Sequence, residues 1–592
     1  MNILHMQKLK KYLKKAVVAL IEPIEREFPF LVLFFMLIVF RPVKFLLYTF
    51  IHSDQYEVEG WGAICLAFLI SYILTLIVYY AHRKWVKVFF YTIGCTIFSI
   101  DIFLHIVFHK VICPQVLTVI GETNYGEAHD FLQTFLLSPK GFLSLFVVAL
   151  AVTIIYMSEK RRQVFVSYLE KHPTKKNLID AVALSLSVVG AFNAGVYYKL
   201  LTNKLDKDII LSDSTDSFTS TLCALRAITF NAYEMKKAVQ NANDVRGGKI
   251  TEKDSLNVIF IIGESYNKRH AQIYGYQLST TPRLMEEKKK GNLFVFKDVV
   301  SPSNYTTIVM KNMMCCNSLA NNEKWYTTPF VPTIFKRSGM EVDYWDNQRI
   351  NSRTIYDFTL NAFLFNRNII KLSYNRIAPQ TFEYDDQLVS NYEQYKNKAK
   401  GKYKFIIFHL MGQHIDATER YPHDRFSRFS AKNIHKEAPY MTEDRRQNIA
   451  DYDNATYYND SVVSHIIDLY RNENTVVVYC SDHGEEVYDY RDSKGRIDPE
   501  PGELRNCLKY QYEVPFVIWC SDKYKALHPN TIRRIKASLN RPFMTDNTCQ
   551  LLFDLAGLQT IYYRPEHDLI SSKFRASKRI VNDNIDYDAV MR

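Results

Sequence analysis

Five apolar stretches crowd into the first third of the chain, near 29–50, 60–81, 87–110, 140–157 and 178–198. Each has about the ~20 residues that a helix needs to cross a bilayer core. Nothing comparable follows residue 200. A chain of 592 residues built this way is expected to form a helical membrane domain over 1–200, a connector over 201–250 and a soluble domain over 251–592. Mean hydropathy is only −0.17, because that average hides the split. The first stretch is the least clean, since Arg41 and Lys44 interrupt it. Those charges must snorkel or line a polar cavity, or the segment dips in without crossing.

Loop charges give a topology. The start is rich in Lys (Lys8, Lys10, Lys11, Lys14, Lys15) and reads as an amphipathic stretch, with no cleavable signal peptide evident. Arg83, Lys84 and Lys87 lie in the next basic loop, and 159–177 is a third. All three belong in the cytoplasm by the positive-inside rule. The acidic loop 111–139, with Glu122, Glu127 and Asp130, belongs outside. Five crossings then put everything after about residue 200 outside, whereas an even count would not. The formal net charge of +12 fits a membrane protein of this kind. No nucleic-acid motif accompanies it, so no nucleic-acid partner is expected.

The connector holds an expected helix near 218–240, placed on the membrane surface. Beyond it, buried-strand patterns end on ionisable residues. The run Asn257–Gly263 closes on Glu264, Lys404–Gly412 leads to His414, and Thr475–Ser481 closes on Asp482 and His483. Helical stretches separate these runs, which implies a mostly parallel sheet covered on both faces. Ligands bind beyond the carboxyl ends of such strands. A Glu or a His alone at a strand end is ordinary. Glu264, Asp482 and His483 together suggest a metal site, for zinc ahead of manganese.

A nucleophile is sought in Val300–Met310, which reads as a turn opening a helix. Pro302, Ser303 and Asn304 suit the turn and cap. A hydroxyl in the first turn, Thr306 or Thr307, meets free backbone N–H groups that favour a phosphate. Taken alone, either threonine is as well explained as a helix cap. The 10 Cys include no C-x-x-C pair. One or two disulfides among Cys315, Cys316, Cys480, Cys507, Cys520 and Cys549 are allowed in an oxidising compartment, and buried free thiols equally so.

Taken together, these motifs resemble the phosphoethanolamine transferases of Gram-negative bacteria, within the alkaline phosphatase and sulfatase superfamily. The matching runs are Val258–Glu264 with Gly275-Tyr276 and Thr281–Arg283, then Ser301–Thr306, Tyr344–Gln348 and His409–His414. Tyr452–Asn454, Ser481–Glu485 and Tyr512–Phe516 follow in order. The resemblance implies an α/β alkaline-phosphatase-like domain behind about five transmembrane helices. It implies a multi-pass protein of the bacterial inner membrane with its catalytic domain in the periplasm.

It also implies roles. Glu264, Asp482, His483 and Thr306 would hold one or two zinc ions, and Thr306, rather than Thr307, would be the nucleophile. His414 would be catalytic, at the transferred phosphate or the leaving oxygen. Thr123 and Glu127, in an exterior loop, and His409 would bind substrate. Val119 departs from the family's Asn, and no histidine stands between Gly484 and His528 where several relatives carry one. The implied reaction moves phosphoethanolamine from phosphatidylethanolamine to lipopolysaccharide (core heptose or lipid A) or a related glycan, through a threonine ester. The rival is a phosphoglycerol transferase of the lipoteichoic acid synthase type, against which Glu127 speaks, since an acidic residue suits an ammonium headgroup. A hydrolase of the sulfatase type would want a C-x-P-x-R or S-x-P-x-R context, which is missing. A degenerate, non-catalytic domain is disfavoured because Glu264, Thr306, Asp482 and His483 are all present.

Overall fold

The computed structural model describes residues 3–52, 57–108, 112, 136–203, 216–348, 367–414, 417–496, 499, 502–582 and 585–592. The chain divides into two compact units, Met1–Ala232 and Tyr233–Arg592.

The first unit is helical: α1 (Ile3–Arg26), α2 (Phe28–Ile38), α3 (Phe40–His52), α4 (Glu57–Ala81), α5 (Lys84–Phe108), α6 (Pro139–Lys160), α7 (Arg162–Lys171) and α8 (Pro173–Asn203). Helix α9 (Ser217–Asp244) runs through the boundary between the units. Among the described residues, four segments are long and apolar enough to cross a membrane: Trp61–Ala81, Lys84–Val107, Pro139–Lys160 and Pro173–Ala194. The expected stretch 29–50 is not one of them, because it is two helices that break at Val39. Pro42 lacks the N–H that would donate to Ile38, so the helical ladder is interrupted there. Arg41, just past the break, is buried and donates from Nη1 to Ser220 Oγ at 2.6 Å. Its Nε lies 4.0 Å from Asp101. Of the two charges that interrupt this stretch, Arg41 is thus neutralised inside the bundle, while Lys44 is exposed.

The basic segment 159–177, expected as a loop, is largely helical. Its charges meet those of the other basic segments. Lys87 pairs with Glu27 and Glu159, Arg162 with Glu27, and Lys176 with Glu25. The end of α1, the start of α5 and the end of α6 therefore share one end of this unit.

The second unit is built on a seven-stranded sheet. Its strands are β1 (Leu256–Gly263), β2 (Leu293–Phe296), β3 (Glu341–Asp346), β4 (Arg376–Ile377), β5 (Tyr403–His409), β6 (Thr475–Ser481) and β7 (Phe516–Cys520). They lie in the order β2-β7-β6-β1-β5-β3-β4. The run from β6 to β4 is parallel, and β7 is antiparallel to both its neighbours. Strand β1 is buried along its whole length. Its side chains alternate between two cores: Val258, Phe260 and Ile262 face one, and Ile259 and Ile261 the other. This is why the strand reads as a continuous apolar run. Two helices matter below, α10 (Thr306–Met313) and α11 (Glu443–Tyr470). Helix α11 starts on a Thr442 cap and covers the second core with Tyr452, Ala455, Val462 and Ile466.

Candidate active site

Strand register assembles the site. Strands β1 and β6 run side by side with Gly263 opposite Ser481. The residues that follow, Glu264 and Asp482, therefore emerge together at the carboxyl edge, and Asp482 N donates to Gly263 O at 3.0 Å. On the other flank, β5 sets His409 opposite Ile262 and continues into Leu410, whose N–H donates to Ile262 O. The chain then turns at Gly412, with φ of +52°, against the backbone of Glu264. A Cβ there would sit 2.8 Å from Glu264 N and O, so both the angle and the close approach require glycine.

Glu264, Asp482 and His483 are fully buried, and a ligand atom from each lies within 4.8 Å of the others. His483 Nε2 is 3.3 Å from Glu264 Oε1 and 3.2 Å from Asp482 Oδ2. His483 Nδ1 is 2.9 Å from the carbonyl of Gly484, which can only accept. This assigns the proton to Nδ1 and leaves the Nε2 lone pair facing the two carboxylates. Thr306, the first residue of α10, completes the group. Its Oγ1 lies 3.1 Å from Glu264 Oε2 and 3.3 Å from His483 Nε2. Thr307 is buried instead. The helix cap differs from expectation: Tyr305 is the cap residue and lends no side-chain bond to the helix. Ser303 Oγ accepts from Tyr305 N, and Asn304 Nδ2 donates to Gln511. The first N–H groups of α10 are thus left open beside the hydroxyl.

The electrostatics suit a cation. Burial, then the neighbouring Glu264 carboxylate, push Asp482 well above the usual carboxylate range. Burial acts the same way on Glu264, but His483 and His414 in their protonated forms, with Arg496, outweigh it and hold Glu264 well below that range. Asp482 Oδ1 accepts from the N–H groups of Ser265 and His483, whereas Oδ2 is buried and has no hydrogen-bond partner. An orphaned carboxylate oxygen facing a second carboxylate and an imidazole lone pair is what a divalent ion would satisfy. The residues present fit such an ion.

His414 lies in the electrostatic reach of Glu264, His483 and Arg496, with its pKa lowered chiefly by burial. His409 is fully buried, with Nδ1 3.0 Å from Asp346. Its Nε2 is buried and has no hydrogen-bond partner. Burial is physically natural there, because His409 is the last residue of a central strand. Thr123 and Glu127, like Val119, lie outside the described residues. Cys65, Cys95 and the six cysteines considered for disulfides are free.

Three further residues of the site carried no role in the sequence reading. Gln348 donates from Nε2 to Glu264 Oε2 at 3.0 Å and to Leu410 O at 2.8 Å. Its position at the end of the Tyr344–Gln348 run, just past β3, was the available signal. Ser265 donates its hydroxyl to Glu264 Oε1 at 2.7 Å. Arg496 reaches in from a loop, and nothing in its sequence context marks it.

Residues 256–557, just over half of the chain, match the description "Sulfatase". The chain belongs to the sulfatase family. Within it, the phosphoethanolamine transferase EptC of Escherichia coli (strain K12) is 26% identical over 548 residues, covering 87% of this chain and 89% of EptC. The solved C-terminal periplasmic domain of EptC from Escherichia coli is 28% identical with a TM-score of 0.50, covering 58% of this chain and 96% of that domain. The integral membrane lipooligosaccharide phosphoethanolamine transferase A of Neisseria meningitidis is 16% identical with a TM-score of 0.51. It covers 94% of this chain and 98% of its own, so a helical membrane domain joined to a sulfatase-family domain is the shared fold.

Proposed function

We propose that this sulfatase-family protein transfers phosphoethanolamine from phosphatidylethanolamine to lipopolysaccharide through an ester on Thr306. The observation that carries the reading is the position of Thr306 Oγ1, 3.1 Å from Glu264 and 3.3 Å from His483 beside the orphaned Asp482 oxygen. Relatives that span most of the chain and bear the name phosphoethanolamine transferase choose the reaction among those this family performs.

Glu264, Asp482, His483 and Thr306 would hold zinc, and a bound zinc ion lowers the pKa of a hydroxyl it touches. One such cluster is present among the described residues. Thr306 Oγ1 attacks the donor phosphorus in line, and the bond from phosphorus to the diacylglycerol oxygen breaks. The departing oxygen takes the proton that Thr306 gives up, with His414 as the nearby group to relay it. The acceptor hydroxyl then attacks the ester, the bond from phosphorus to Oγ1 breaks, and Thr306 regains its proton. Open N–H groups at the start of α10 favour the phosphate in both steps. Thr123 and Glu127 are assigned to the ethanolamine headgroup, Glu127 opposite its ammonium. His409, whose Nε2 is buried without a hydrogen-bond partner, is likewise assigned to substrate binding.

A lipid donor requires the catalytic domain to work at a membrane. We assign it to the periplasmic side of the inner membrane, which needs an odd number of crossings. The ion pairs of Lys87 with Glu27 and Glu159 support a crossing by Phe28–His52, because they return α1 and α5 to one end of the unit. Twenty-five residues of helix span about 37 Å, enough for the bilayer core despite the break.

Membranes holding the protein should be given headgroup-labelled phosphatidylethanolamine or phosphatidylglycerol, then denatured and digested. Label from phosphatidylethanolamine on the Thr306 peptide is expected. Label from phosphatidylglycerol instead would establish the phosphoglycerol rival, and no label from either would end the covalent reading.

A further inference from the structure

Arg496 is the guanidinium at this centre. Its Nη1 lies 2.9 Å from His483 Nε2 and 3.3 Å from the carbonyl of Asn304. Its guanidinium carbon is 5.9 Å from the centre of the Tyr305 ring. Asn304 and Tyr305 are the two residues before Thr306, so Arg496 is held on the same side as the open end of α10. We infer that Arg496 grips the nonbridging oxygens of the phosphoryl group on Thr306, and that it yields the His483 lone pair to the ion in doing so. This rests on the transfer reading above.

Two facts lead there. His483 Nδ1 faces the Gly484 carbonyl, so Nε2 carries a single lone pair. A guanidinium donor and a divalent ion cannot both hold it. Ion binding therefore frees Nη1 from the His483 nitrogen. Nη1 and Thr306 Oγ1 lie 2.9 and 3.3 Å from the same nitrogen, hence no further apart than the sum of those distances. A phosphoryl group on Oγ1 fills that interval and puts its oxygens within a charge-assisted hydrogen bond of the guanidinium. The planar fork of donors matches two oxygens of one phosphate, and the charge cannot be lost near neutral pH. The Asn304 carbonyl and the Tyr305 ring offer the freed side chain a fixed perch, so little entropy is lost when it binds.

The test uses the full chain in detergent, with Arg496→Ala and Arg496→Lys beside the wild type. Zinc affinity is read by competition with a chelator at fixed pH. Affinity of the zinc-loaded protein for inorganic phosphate is read by calorimetry. Removing the competitor for Nε2 should make the alanine variant bind zinc several-fold more tightly. It should bind phosphate at least about tenfold more weakly, the size of one lost charge-assisted bond. The lysine variant should recover part of the phosphate affinity, since charge returns without the fork, and this separates the role from a folding defect. Zinc affinity that is unchanged or weaker in the alanine variant would overturn the exchange at His483. Wild-type phosphate affinity in the alanine variant would overturn the grip. A wild type that binds no zinc and carries no ester on Thr306 would instead sink the transfer reading itself.

Discussion

Gly263 and Ser481 are direct partners across two parallel strands, and that one register places the Glu264 and Asp482 carboxylates side by side. A one-residue slip of β6 would send Asp482 to the other face of the sheet and dissolve the cluster. The site is therefore as rigid as the centre of the sheet that carries it, and the variants below probe different parts of that support.

Thr306→Ala should lower turnover by about three orders of magnitude or more, because the nucleophile is lost and the adjacent Thr307 is buried. Thr306→Ser should keep a measurable rate and still form an ester. Turnover of labelled donor, with intact-protein mass spectrometry, reads both. An alanine variant with wild-type turnover would contradict the mechanism.

Removal of the ion should cost stability as well as activity. Two buried carboxylates face each other at this centre, and a bound ion stabilises the folded state by mass action. At about 100 times its dissociation constant the ion contributes about 2.7 kcal/mol. Chelator treatment should therefore lower the thermal midpoint, and zinc should restore it. Calorimetry that finds no shift would argue against an ion at Glu264, Asp482 and His483.

Gly412→Ala should destabilise the second unit by about 1–3 kcal/mol, since φ is +52° and the new Cβ would press on the Glu264 backbone. Zinc affinity should fall with it, because Glu264 is the residue displaced. Denaturant unfolding and chelator competition measure the two effects. Gly502→Ala, in open space at φ of +90°, is the control for the backbone term alone.

His270 should make the second unit lose stability in alkali. Its Nδ1 is 2.7 Å from Asp453 and its Nε2 3.4 Å from Asp489. Burial opposes the charge, but those carboxylates prevail and lift the imidazolium to a pKa of about 10 from its usual 6.5. The folded value is the higher one, so this stabilisation is whole below about pH 6.5 and drains away as the pH rises through about 10. His270→Asn should flatten that part of the profile. Unfolding free energies measured from pH 6 to 10 decide it, and identical slopes for both proteins would refute it.

Accessibility in intact cells checks the topology. Asp424 has 77% of its side chain exposed in the second unit, and Lys160 is exposed at the end of α6. A membrane-impermeant maleimide should label Asp424→Cys and leave Lys160→Cys untouched until the cells are broken. The reverse pattern would move the catalytic domain to the cytoplasm.

The sequence determined the division into an apolar helical part and an α/β part, because hydrophobic patterning is local and survives without coordinates. It also pointed to Glu264, Asp482 and His483, which follow recognisable strands, whereas Thr306 was chosen over Thr307 only through the family resemblance. It did not reveal the break at Val39, where Pro42 and a buried Arg41 together outweigh the apolar average. Nor did it show that Gln348 and Arg496 reach the centre. Those facts depend on which strands lie side by side and on where a loop returns. Such long-range pairings are decided by packing and hydrogen bonding across the whole sheet, and no stretch of neighbouring residues records them.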